Sequence, residues 1–170
     1  MGRSMKKLNV RVIALMGLMI ALQVVFTRFL SVETTFLRIG IDFIPATIMG
    51  ALFGPFLAAI GGGLADVLGM MIFPKGAFFL GFTFNACLIG MLYGLLYYKK
   101  ELTWKRVIFS TIVITLLSSL LLTPFWLHLM YKVPFWGLMP IRLLKAVVMI
   151  PLQAVLTFLV LGRLPKEIKK

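Results

Sequence analysis

The chain has 170 residues, 61% of them hydrophobic, and carries 18 Lys and Arg against five Asp and Glu, a formal charge of +13. With a mean hydropathy of +1.05 it has too little polar surface for a soluble domain, and its basic residues flank apolar runs instead of forming a face for nucleic acid. The one cysteine, Cys87, lies inside an apolar run and excludes an intrachain disulfide framework.

About 20 helical residues cross a hydrocarbon layer about 30 Å thick. The first apolar run predicts a span over residues 10–27. It follows a basic start, as a signal peptide would, but has no small-x-small cleavage site before a polar domain, so it reads as a retained helix. On it Ala14, Gly17 and Ala21 form a small-residue stripe that permits close helix approach in lipid, either within this bundle or with another subunit. Residues 39–73 are too many for one span and rather few for two. Gly54-Pro55 is a turn signal and Pro74 ends the stretch, which predicts helices over 41–53 and 56–72. Helices this short need protein or a polar cavity around their ends. Gly61-Gly62-Gly63 lacks the lysine of a phosphate-gripping loop and serves close packing.

Further spans over 77–97, 107–125 and 138–161 complete one all-α, polytopic, six-helix membrane domain covering residues 1–170. Twelve basic residues form three clusters: Arg3, Lys6, Lys7 and Arg11; Lys99, Lys100, Lys105 and Arg106; and Arg163, Lys166, Lys169 and Lys170. Six spans bring all three to one side, and the positive-inside rule places both termini in the cytoplasm. The expected outer loops are 28–40, 73–76 and 126–137. The outer side receives Arg28, Arg38, Lys75 and Lys132, with Arg142 and Lys145 just inside the last helix.

Several polar residues in or beside the spans need a reason. Asp66 sits within the third helix, where a lone carboxylate costs roughly 2.5–3.5 kcal/mol on insertion scales. It either touches a ligand or pairs with Arg28, Arg142 or a helix end. Arg142 and Lys145, three apart, share one face near the positive end of the last helix, an arrangement that receives a dicarboxylate or phosphate and equally suits snorkelling to headgroups. Arg28 and Arg38 bracket the first outer loop, as a cavity mouth or as headgroup anchors. Asn85 is helix glue or a ligand contact. The turn from Phe73 through Lys75 to Phe79 is rigid and aromatic. Tyr131, Phe135 and Trp136 suit an interfacial belt or a slot for a planar heterocycle. His128, expected in an outer loop, has no metal-ligating neighbour in sequence. No Ser-His-Asp set, paired carboxylates or metal cluster occurs, so binding or transport is favoured over enzymology, with no cofactor.

The runs Thr27-Arg28-Phe29-Leu30-Ser31, Leu37-Arg38-Ile39-Gly40, Phe43-Ile44-Pro45 and Gly50-Ala51-Leu52-Phe53-Gly54-Pro55 resemble the S component, the substrate-binding membrane subunit, of energy-coupling factor vitamin transporters, in its folate-specific branch. The resemblance continues through Ala65-Asp66-Val67-Leu68-Gly69, Phe73-Pro74-Lys75-Gly76-Ala77-Phe78-Phe79, Gly81-Phe82-Thr83, Pro140-Ile141-Arg142-Leu143-Leu144-Lys145 and Met149-Ile150-Pro151-Leu152-Gln153. It implies capture of folate from outside a bacterial cytoplasmic membrane and delivery to a transmembrane coupling protein carrying two ATPases. ATP hydrolysis is then expected on those partners. The stripe at Ala14, Gly17 and Ala21 would meet the coupling protein. The family stripe reads alanine at both ends of a four-residue step, where this chain has Gly17 and Ala21. The resemblance assigns Arg28, Arg142 and Lys145 to the glutamate carboxylates of folate, Asp66 or Asn85 to the pterin edge, and Phe79 and Trp136 to the rings. Arg38 and Lys75 complete the candidate substrate-binding set. The alternatives are the same architecture serving riboflavin, pantothenate or thiamine, and a stand-alone secondary carrier, which would accumulate substrate without ATPase partners.

Overall fold

A computed structural model of the chain describes residues 10–33, 38–75 and 77–164. The basic residues Arg3, Lys6, Lys7, Lys166, Lys169 and Lys170 lie outside the described residues, as do Leu37 and Gly76 of the motifs above.

The apolar runs fold as six rods. They are α1 (Val10–Arg28), α2 (Phe43–Phe53), α3 (Pro55–Ile72), α4 (Leu80–Tyr97), a fifth rod of α5 (Trp104–Thr115), a π-helical stretch (Leu116–Leu122) and α6 (Thr123–Tyr131), and finally α7 (Phe135–Arg163). Five rods are long and apolar enough to cross a membrane; α2 is the short one. Its 11 residues survive because seven of them are buried, and it packs against α1, α3, α4 and α7, so its ends meet protein instead of lipid. Gly54 takes φ 89° between α2 and α3, a left-handed conformation that an L side chain resists, and Pro55 then starts α3.

Contact of α4 with α2 and α3 depends on missing side chains. A Cβ at Gly50 would stand 2.7 Å from the Gly94 nitrogen, and one at Gly62 would stand 2.6 Å from the Ala86 carbonyl oxygen. Both obstacles are backbone, which cannot swing away. Large apolar side chains face outward instead, among them Leu144, Val147 and Val148 of α7, the surface a bilayer covers.

Several features differ from expectation. Helix α4 starts at Leu80, because residues leading to it are extended and Phe79 has φ −140° and ψ 124°. The fifth rod starts at Trp104, where Thr103 accepts from the Arg106 backbone N–H at 3.3 Å, an N-cap that lengthens the helix. The outer connection expected over 126–137 shrinks to residues 132–134, with Lys132 left-handed at φ 54° and Pro134 next to the start of α7. His128 is therefore in the last turn of α6, with Nδ1 2.7 Å from the Val133 carbonyl oxygen. Last, the loop after α1 contains a small antiparallel hairpin, β1 (Ser31–Glu33) on β2 (Arg38–Gly40), pairing Ser31 with Gly40 and Val32 with Ile39.

Candidate functional site

A cavity of about 900 Å³ opens among the rods at the end that carries the hairpin and the link from α3 to α4. Its size is within the range of pockets that enclose a drug-sized ligand. Five cations line it, Arg28, Arg38, Lys75, Arg142 and Lys145, against two carboxylates, Asp42 and Asp66. The balance favours an anion carrying at least two negative charges.

Each cation is positioned by a local feature of sequence. Arg28 ends α1 and is 7% exposed; it lies across Gly69 of α3, where a Cβ would come within 2.9 Å of its Nε. Lys75, in the α3–α4 link, donates to the Arg28 carbonyl oxygen at 2.6 Å, which ties that link to the mouth beside α1. Ser31 donates to the Thr27 carbonyl and turns the chain into the hairpin. Arg38 leaves the hairpin with its Nη2 2.7 Å from Asp42 Oδ2, an ion pair four residues apart.

On the opposite wall Arg142 is 3% exposed and donates from Nη1 to the Ser119 carbonyl oxygen at 3.0 Å. Lys145, one turn along, is half-buried and has Arg142, Arg38 and Asp42 as charged neighbours. Both side chains border the cavity.

Asp66 accepts from the Thr83 hydroxyl at Oδ2 (2.7 Å). Thr83 is on α4, two residues before Asn85, whose Nδ2 donates to the Thr123 hydroxyl oxygen at 3.4 Å. The aromatic side chains Phe78, Phe79, Phe82, Tyr93 and Tyr131 also border the space. Phe79 meets Phe82 and Trp126 edge to face, with centroids 5.9 and 5.6 Å apart, a geometry that holds a ring in place for a flat ligand.

Of the nine candidates read from the sequence, Arg28, Arg38, Asp66, Lys75, Phe79, Asn85, Arg142 and Lys145 line this one cavity. Trp136 does not. It starts α7 on the outside, 79% exposed, with Phe135 as its ring neighbour; the short connection at residues 132–134 puts it on the helix exterior instead of in a loop over the mouth.

Sequence reasoning missed Asp42, Gln23, Gln153 and the hydroxyl run Thr115, Ser118, Ser119 and Thr123, all of which border the cavity. The signal for the last group was Pro124. Hydroxyl residues directly before a proline in a long apolar helix mark a place where the helix departs from α geometry. On α1 the stripe of Ala14, Gly17 and Ala21 is exposed, and a Cβ at Gly17 would meet nothing within 4 Å. The stripe is thus not used for packing inside this chain.

Comparison with known proteins places the chain in a family. The chain is 44% identical over 154 residues to the folate transporter FolT of Clostridium novyi (strain NT), covering 91% of this chain and 88% of that one. It is 30% identical over 162 residues to the folate transporter FolT of Leuconostoc mesenteroides, covering 92% and 87%. A crystal structure of FolT bound with folic acid superposes with a TM-score of 0.86 at 49% identity, covering 89% of this chain and 94% of that chain. The family model for the substrate-specific component of ECF transporters matches residues 11–170, and the chain belongs to that family of multi-pass membrane transport subunits.

Proposed function

We propose that this chain captures folate from outside the cell and hands it to an ATP-driven energy-coupling factor module for uptake. The observation that carries the reading is the cavity itself, which combines five cations, two carboxylates and a ring-lined wall in about 900 Å³. Folate has the complementary chemistry: a flat pterin with adjacent donors and acceptors, an aminobenzoyl ring, and a glutamate with two carboxylates. The 49% identity to a FolT bound with folic acid supports the same ligand here.

In this reading Arg142, Lys145 and Arg28 take the glutamate carboxylates, with Arg38 and Lys75 at the mouth. Arg is suited to this because its planar fork meets a carboxylate with two parallel bonds. Asp66 and Asn85 meet the pterin edge, and Phe79 lies against a ring. Both termini face the cytoplasm, so the mouth beside the hairpin faces outward; Arg11, Lys99, Lys100, Lys105, Arg106 and Arg163 then fall on the cytoplasmic side, as the positive-inside rule requires. The exposed stripe of α1 docks a helix of the transmembrane coupling protein, whose two ATPase partners hydrolyse ATP.

Isothermal titration of the purified chain with folate tests the reading, with riboflavin, thiamine and pantothenate as competitors. Tight one-to-one binding of folate that the other vitamins fail to displace is expected. Folded protein that ignores folate and binds one of the others would overturn it.

A further inference from the structure

We propose that Thr123 is a positioning residue that locks the Asn85 amide with its oxygen turned into the cavity, so that Asn85 acts as a fixed acceptor for a donor edge of the bound heterocycle. The assignment rests on the folate reading above and names a residue that sets its specificity.

A hydroxyl has one hydrogen to give. That of Thr123 goes to the Ser118 carbonyl oxygen at 2.8 Å, five residues back, a reach that the π-helical register provides. The Thr123 oxygen is then left only to accept, and the group facing it, the Asn85 amide, must present its NH2, 3.4 Å away. The order of donation runs one way, from Asn85 to Thr123 to Ser118. It fixes which end of the Asn85 amide is which, a choice that amide shape alone does not make.

The consequence is at the other end of the amide. Asn85 is 8% exposed, and its Oδ1 is buried with no hydrogen-bond partner among the described residues. It borders the cavity together with Thr123 and Asp66. A buried carbonyl left without a donor is costly, whereas one that meets a ligand N–H gains both affinity and discrimination. Asp66 on the adjacent helix has one oxygen occupied by Thr83 and the other available to accept. Two acceptors on the α3–α4 wall suit the paired ring N–H and amino donors of a pterin.

Thr123→Val removes the hydroxyl while keeping the side-chain volume. Ser118 still receives the Thr123 backbone N–H, so its carbonyl keeps a donor. Folate affinity is measured by titration calorimetry for the natural chain, Thr123→Val, Thr123→Ser, Asn85→Ala and the double variant Thr123→Val with Asn85→Ala. Folded natural chain that fails to bind folate refutes the folate reading and this assignment with it. Given binding, Thr123→Val is expected to weaken it about tenfold, the size of one lost hydrogen bond, and Thr123→Ser to stay within about twofold. In the Asn85→Ala background Thr123→Val should change affinity by less than about twofold, since the two act as one unit. An unchanged Thr123→Val, an equal loss from Thr123→Ser, or the same factor in both backgrounds would overturn the role; if Asn85→Ala alone abolishes binding, the comparison of Ser with Val decides.

Discussion

Arg142 of α7 donates to the carbonyl oxygen of Ser119, and a proline on the facing rod explains why that oxygen accepts from a side chain. In the π register the Thr123 N–H goes to Ser118, so the next donor in line, for Ser119, would come from residue 124. Residue 124 is proline and has no N–H to give. The Arg142 guanidinium supplies the bond at 3.0 Å. A charge that would be expensive in a bilayer thus gains a buried acceptor, and the rod gains a donor where its own backbone lacks one. Nη1 of the guanidinium is thus engaged by the protein itself.

Arg142→Ala is therefore expected to act twice. Folate affinity falls about a hundredfold, in line with about 3 kcal/mol for a charge-assisted bond in a buried site. Thermal unfolding in detergent without ligand also shifts to lower temperature, because the Ser119 carbonyl loses its donor. Arg142→Lys should recover less than half of the lost binding energy, since an ammonium is a point charge without the fork. Titration and a melting curve on the same preparation check both effects.

The hydropathy pattern located six rods and the cations that meet in the cavity, because membrane charges are costly enough to stand out against an apolar background. The parts that escaped the sequence are those set by three-dimensional register. Ser118, Ser119 and Thr123 look like ordinary tolerated hydroxyls until the π stretch turns them to one side. Asp42 falls inside the predicted second helix, and its ion pair with Arg38, four residues earlier, forms across the turn between β2 and α2. Tyr131 and Trp136 look alike in sequence as aromatic residues near one helix end, yet Tyr131 borders the cavity and Trp136 faces the exterior.

Trp136→Ala should consequently leave folate affinity within about twofold of the natural chain, since an exposed side chain away from the ligand contributes little to binding. Phe79→Ala, which opens space beside Phe82 and Trp126, should weaken it by about tenfold, the cost of a lost ring contact and its burial. A competition assay that ranks Trp136→Ala below Phe79→Ala would place the ligand on the other side of α7.

Asp66→Ala removes the acceptor of the Thr83 hydroxyl together with the remaining carboxylate oxygen. Folate affinity is expected to fall at least about tenfold. Asp66→Asn keeps one acceptor and should lose less. Titration that finds the natural affinity in Asp66→Ala would remove this residue from the pterin edge.

Gly50→Ala tests the packing that supports the cavity wall. The added Cβ would meet Tyr93 Cβ at 2.6 Å and the Gly94 nitrogen at 2.7 Å, so α2 and α4 must separate. Overpacking of this kind costs about 1–3 kcal/mol. Because Tyr93 also borders the cavity, folate binding should weaken along with the melting temperature. Excess folate should restore part of that temperature by mass action on the folded form.

Gly17→Trp separates capture from delivery. Gly17 stands on an exposed stripe with open space beyond it, remote in sequence from Arg28 at the cavity end of α1, so a bulky side chain there disturbs nothing inside the chain. Folate affinity of the isolated protein should stay within about twofold, and its melting temperature should hold. Close approach of a partner helix needs small residues, and a ring several ångströms deep keeps the helices apart. Cells or proteoliposomes containing the coupling protein and its ATPases should then lose ATP-dependent folate uptake while the purified variant still binds folate. Uptake at the natural rate would show that the coupling protein docks on another face.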